Sequence, residues 1–245
     1  MLYLVFLIEI RWGRFYMDIG GLLKELLLED KVLIHFDFMN GFFDINRSIV
    51  LSWVVIAVLT LLILFLTSNM KVHDISTKQA VAELIVEKLR GITYGMLGDE
   101  GLRYRDYMVV VLVFIGASNL VGLFGQTPPT MDLNVTAALS LMSIVLVEAA
   151  GIKKKGTRKW LKSFAEPMAI ITPMNILELA IRPLSLCMRL FGNIIGATVI
   201  MELLKMVVPV IVPAAFSLYF DIFDGLIQAY VFVFLTSLYI KEAVE

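Results

Sequence analysis

The sequence predicts an all-α polytopic membrane protein with about five long membrane helices. Three observations carry this. Of 245 residues, 59% are hydrophobic, and the mean hydropathy is +0.86. Only 18% are charged, against about 25% in a soluble domain. The apolar residues also gather in runs of about twenty, the length that crosses a hydrocarbon core. This much apolar surface cannot fit inside one globular core of the same size. Disordered, collagen-like and nucleic-acid-binding classes are excluded by composition, and no series of segments alternates with the period of two that a barrel needs. Lys plus Arg number 21 against 22 Asp plus Glu, so local charge placement must carry the argument. The single cysteine, Cys187, excludes an internal disulfide and gives no metal cluster.

Taken in order, residues 1–47 form an external N-terminal segment. Its opening run MLYLVFLIEI is too short to span and is interrupted by Glu9. A first helix covers 48–70, where no charge occurs, and a second covers 107–126, ending in the turn-like QTPPTM. A third covers 133–150, its apolar part bounded by Asp132 and Glu148. The stretch after 164 is apolar but carries Glu166, Glu178, Arg182, Arg189, Glu202, Lys205, Asp221 and Asp224. Pro209 and Pro213 divide it into helices over 165–206 and 210–240, joined near VVPVIVP. Residues 48–245 are thus the membrane domain.

Lys and Arg in short loops set orientation. Loop 71–106 holds six: Lys71, Lys78, Lys88, Arg90, Arg103 and Arg105. Loop 151–163 holds six more: Lys153, Lys154, Lys155, Arg158, Lys159 and Lys162. The turn over 126–132 holds none. Both basic loops are therefore expected in the cytoplasm, with the N-terminus outside and the C-terminus inside. Within loop 71–106, AVAELIVEKLRGI reads as an amphipathic helix on the inner surface, in contact with membrane lipid.

Ionisable groups inside membrane helices are costly and mark function by default. Arginine is the extreme case, because it stays charged at physiological pH. Arg189 has uncharged residues for six positions before it and twelve after it. At 100° per residue, Ser185, Arg189 and Asn193 stack in one row, with Gly196 near the same line. Ser217, Asp221, Asp224 and Gln228 form a second row at i, i+4, i+7 and i+11. Two polar stripes would line a hydrated path or a contact with another subunit. A structural ion pair between Arg189 and an aspartate satisfies the same pattern, and Gly192, Gly196 and Ala197 suit helix packing. His35 and His73 lack partners at ligand spacing, so no metal is expected, and no glycine loop with Lys-Ser/Thr marks a nucleotide site or other cofactor.

RPLSLCMRLFGNIIGATVIMELL closely resembles the signature of subunit a of F-type ATP synthases. That family carries an essential arginine in a Ser-Leu-x-x-Arg-Leu-Phe-Gly-Asn block, here Ser185, Leu186, Arg189, Leu190, Phe191, Gly192 and Asn193. LIQAYVFVFLTSLYI is similar to the family's Gln-Ala-aromatic block and places its glutamine at Gln228. PPTMDLNVTAALSL resembles the segment opening a middle helix, with Asp132, Asn134 and Thr136. The likeness covers roughly residues 30–245.

The resemblance implies a proton-conducting stator subunit with no catalytic nucleotide site of its own. It implies a ring of c subunits and peripheral-stalk b subunits as partners, and a bacterial plasma membrane location. Its last two helices would be long, tilted and paired as a hairpin against the c-ring. Two offset half-channels would bring protons to a ring carboxylate and release them, with Arg189 standing between. Some members carry a glutamate nine residues after the arginine, facing a histidine seven residues before the glutamine. Here those positions are Thr198 and Asp221. Asp221, with Asp224, or else Glu202, must then supply the acid, and Asn193 and Gln228 complete the candidate path. The same subunit coupled to Na⁺ is an alternative. So is a self-contained transporter, although no internal repeat supports it.

Overall fold

The computed structural model describes residues 21, 32–34, 45–68, 70, 71, 76–99, 101–163, 172–207 and 216–244. It is an all-α bundle with one small exception. Strands β1 (Val32–Ile34) and β2 (Ile45–Asn46) pair antiparallel ahead of the first helix, a ladder too short to leave a period-two signal. Five helical stretches are long and apolar enough to cross a membrane. The rest of the segment 1–47 lies outside the described residues. So do His35, His73, Glu166 and the Pro209–Pro213 stretch expected to join the last two helices.

Helix α1 (Arg47–Thr67) is 21 residues long, about 31 Å at 1.5 Å per residue, which matches the hydrocarbon core. Three of its hydroxyls are satisfied by bonding back one turn. Ser52, Thr60 and Thr67 donate to the carbonyls of Ser48, Ile56 and Ile63 at 2.7–2.9 Å. Val55 is its one buried side chain, so α1 presents nearly all its surface outward. Helix α2 (Thr77–Leu97) lies inside the expected basic loop. Ser76 caps it by accepting from Gln79 N. Gly98, at φ 66°, ends it with its N–H on Tyr94 O, a left-handed position that favours glycine.

Helix α3 (Arg105–Leu120) tightens into a 3₁₀ turn over Val121–Phe124 and stops at Gly125, φ 68°. A second 3₁₀ turn, Pro129–Met131, leads into α4 (Leu133–Lys155). Asp132 caps α4 through Asn134 N. The helix runs five residues past the expected end at 150, because its three terminal lysines sit favourably against the helix dipole. After Gly156 comes the short α5 (Thr157–Ser163). Helix α6 (Thr172–Val207) spans 36 residues with Pro183 inside it. The last stretch begins as a π turn, Leu218–Asp224, and continues as α7 (Gly225–Val244).

Helix α4 is the centre of the bundle, packing on both α6 and α7, while α3 packs on α7. Met108, Ile115, Val147, Leu190, Phe232, Val233 and Ile240 are fully or almost fully buried between them. On α6 the buried side is Leu186, Cys187 and Leu190, whereas Ile181, Leu184, Met188 and Arg189 are exposed. The ends of the bundle are tied. Arg47 at the start of α1 donates to Gln126 in the α3–α4 turn. At the other end, Trp160 Nε1 on α5 donates to Glu148 Oε2 on α4 at 2.9 Å. A Cβ at Gly151 on α4 would stand 3.3 Å from Ala243 O, so the lysine-rich end of α4 lies beside the last turn of α7.

Candidate functional site

Five of the six residues singled out by sequence meet at one cavity. Asn193, Glu202, Asp221, Asp224 and Gln228 all border a space of about 340 Å³ between α6, the π turn and the turn after α3. Thr198 and Ser217 border it too. Among the described residues, its charged lining is three carboxylates. Asn193 Nδ2 donates to Asp224 Oδ2 at 2.5 Å, which joins the two predicted stripes. Gln228 is buried, and its Nε2 has no hydrogen-bond partner among the described residues, so a strong donor is available to whatever enters.

The acids do not share one helix face, as an α-helical reading of Asp221 and Asp224 requires. Both lie in the π turn. Its i→i+5 bonding reduces the rotation per residue and so spreads positions three apart. Asp221 is turned to α3's end, where a Cβ added at Gly122 would come within 2.6 Å of its Oδ1. Asp224 is turned to Asn193 on α6. The two carboxylates therefore approach the cavity from different walls. Single-turn π insertions are frequent at functional sites.

Arg189 is the sixth residue and does not line this cavity. It is exposed, and among the described residues no acid pairs with it. The internal ion pair with an aspartate is thus not formed; Asp224 bonds Asn193 instead. Gly192 and Gly196 also have open space where a Cβ would stand. Among the described residues nothing packs on them, and they leave a shallow outer face beside the arginine.

Sequence reasoning missed a second polar cluster. Arg182, seven residues before Arg189, donates through Nη2 to Glu178 Oε1 at 2.8 Å and to Glu242 Oε1 at 2.6 Å. Its guanidinium lies 4.9 Å from the centre of the Tyr239 ring. Glu148, Trp160, Asn175, Glu178, Arg182 and Glu242 border a cavity of about 230 Å³. The Glu178–Arg182 spacing of four was a visible signal. The partner on α7, sixty residues away, was not. Arg182–Glu242 and Asn193–Asp224 connect α6 to α7 in the order of an antiparallel pair.

The family model described as ATP synthase A chain matches residues 49–241, a span that holds every candidate residue. The chain belongs to the ATP synthase A chain family. ATP synthase subunit a of Moorella thermoacetica is 34% identical over 209 residues, covering 85% of this chain and 95% of that protein. A relative from Acaryochloris marina, ATP synthase subunit a 2, is 32% identical over 205 residues, 83% of this chain and 87% of its own length. The sodium ion specific ATP synthase subunit a of Propionigenium modestum is 31% identical over 218 residues, 82% of this chain and 75% of that one. The family places this multi-pass membrane protein within the ATP synthase complex, in ATP synthesis and ion transport. It leaves the self-contained transporter with no observation in its favour.

Proposed function

We propose that this chain is the proton-conducting stator of the membrane sector, working against a c-ring with two half-channels separated by Arg189. The observation that supports it most is the position of Arg189 on α6. It faces outward, between one polar cavity that begins four residues later at Asn193 and another that begins seven residues earlier at Arg182. At 1.5 Å per residue these lie about 6 Å and about 10 Å away along the helix.

In this reading the α6–α7 hairpin lies along the ring and Gly192 lets a ring helix approach. Protons reach the ring from the outside through the Asp221, Asp224 and Gln228 cavity, with Glu202 and Asn193 on its α6 wall. They leave through the Arg182 cavity on the cytoplasmic side, where the twelve-lysine-and-arginine bias of the loops puts it. Residues 1–47 stand outside, the C-terminus and both basic segments stand in the cytoplasm, and peripheral-stalk b subunits complete the stator in a bacterial plasma membrane. A ring carboxylate arriving ionised meets Arg189. At 4 Å that attraction is about 4 kcal/mol at an effective dielectric of 20, against about 1 in water. A fixed positive charge also repels a free proton, which keeps the two cavities from short-circuiting.

Arg189→Ala should leave a complex that still co-purifies with its c-ring but makes no ATP from a proton gradient. Arg189→Lys should be severely impaired, since a desolvated lysine can lose its proton. Normal coupled synthesis in the alanine variant would sink the assignment. The all-carboxylate cavity and the sodium-specific relative support Na⁺ as the second reading. ATP-driven pumping in vesicles with and without Na⁺ separates them: proton pumping that persists unchanged without Na⁺ supports the first, and a requirement for Na⁺ supports the second.

A further inference from the structure

The π turn that parts the two acids is gripped at one residue from both sides. Gly225 follows the turn directly, and its N–H closes it by bonding Phe220 O. Its carbonyl accepts from Asn119 Nδ2 at 2.8 Å. Asn119 Oδ1 in turn accepts from Thr130 Oγ1 at 2.7 Å, which fixes which way the amide points. Asn119 and Thr130 are both buried, so neither bond competes with bulk water. The fit is tight as well: a Cβ at Gly225 would stand 2.9 Å from Asn119 Cβ. These three residues come from the end of α3, the turn before α4 and the start of α7. None of them carries charge.

We infer that Asn119 and Thr130 are positioning residues for the ion path: they hold the π turn in place and thereby set how far apart Asp221 and Asp224 stand. Without the grip on the Gly225 carbonyl, the segment relaxes toward ordinary α-helix, in which residues three apart are neighbours on one face. Two carboxylates brought together no longer meet the cavity from separate walls. Among the described residues bordering the cavity, the other charged group is Glu202 from α6; Asn193, Gln228 and Ser217 are its neutral polar lining. This inference rests on the proton-path reading above, and its test separates the two.

The test uses assembled complexes in membranes, with subunit a abundance and c-ring co-purification measured for each variant. Thr130→Val keeps the shape and removes the hydroxyl donor. It should lower proton flux per assembled complex about tenfold, as sub-ångström to ångström misplacements of reacting groups do. Thr130→Ser, which retains the donor, should restore the flux. Normal conduction in both Asp221→Asn and Asp224→Asn defeats the proton-path reading itself. Conduction lost in those variants, but unchanged in rate per assembled complex by Thr130→Val, or lowered equally by Thr130→Ser, defeats the positioning role alone.

Discussion

Replacing Gly122 by alanine puts a methyl group where a hydrogen stood and aims it at a single carboxylate. The new Cβ would stand 2.6 Å from Asp221 Oδ1, 3.1 Å from its Cγ and 3.6 Å from Oδ2. Ordinary contact begins near 3.4 Å, so the carboxylate must withdraw by the difference, about 0.8 Å. The obstacle is the far end of a side chain and not backbone, so the helix can keep its course while the acid moves. Alanine in place of glycine also favours helical backbone by roughly 0.5–1 kcal/mol, which argues against loss through unfolding. A misplacement near 1 Å can cost up to about a hundredfold in a reaction that needs aligned groups. Gly122→Ala should therefore assemble normally and lower proton flux about tenfold or more. Gly116→Ala is the control on the same helix, since its Cβ meets Leu226 Cδ2 at an ordinary 3.6 Å, and it should conduct normally. ATP-driven acidification and passive conduction of inverted vesicles report the two fluxes. Wild-type flux in assembled Gly122→Ala would show that the position of Asp221 does not matter to the path.

Two further outcomes are expected. Arg182→Leu should weaken the α6–α7 connection by up to about 1 kcal/mol, a figure for exposed pairs, because of its two ion pairs the one to Glu242 crosses between the helices and Glu242 is 58% exposed although Arg182 is only 14% exposed, while Glu178 lies on α6 itself. A lower thermal midpoint of the extracted complex measures it, and the charge exchange Arg182→Glu with Glu242→Arg should recover part of the loss. Cysteines at Thr127 and Thr157, both exposed, in a Cys187→Ser background, should react with impermeant reagents from opposite sides of the membrane. Labelling of both from one side refutes the proposed orientation; Thr130, in the same turn as Thr127, is buried and unsuited to this use.

How much of this was legible in sequence follows from the range of the forces involved. The spanning helices were legible because a charge-free run is a local property and the bilayer reads it locally. The meeting of Asn193 with Asp224 was foreshadowed by two stripes at helical spacing. The π turn was not legible. It is a shift of hydrogen-bond register over seven residues that leaves no compositional mark, so a period of 3.6 assigned Asp221 and Asp224 to the same face when the structure parts them. Asn119 was overlooked for a related reason. It sits in an uncharged run that reads as lipid-facing helix, and its acceptor is 106 residues away. Its surroundings held a signal nonetheless. An amide inside a membrane helix, followed by glycines at 122 and 125 and a Pro-Pro pair at 128 and 129, marks a place where backbone comes close and polar groups need partners. Pro183 is the opposite case, a residue whose local setting was read correctly. It was read as part of a motif and not as a helix breaker, and α6 does run through it.

The exposure of Arg189 carries a last consequence. A structural arginine would be paired inside the bundle, as Arg182 is with two glutamates and an aromatic ring. The two arginines stand seven residues apart on one helix, so two turns separate a guanidinium tied down by its own chain from one left open. An arginine facing lipid near the bilayer centre costs about 2.5–3.5 kcal/mol on insertion scales. A chain retains such a residue without an internal partner when another surface supplies the carboxylate. Beside it, Gly192 and Gly196 leave the backbone bare, which lets that surface come close enough for a short ion pair. The partner must also be able to leave again, because a permanently neutralised arginine would block turnover. A carboxylate that arrives, pairs and moves on as a ring advances meets both conditions, and a fixed intramolecular aspartate meets only the first.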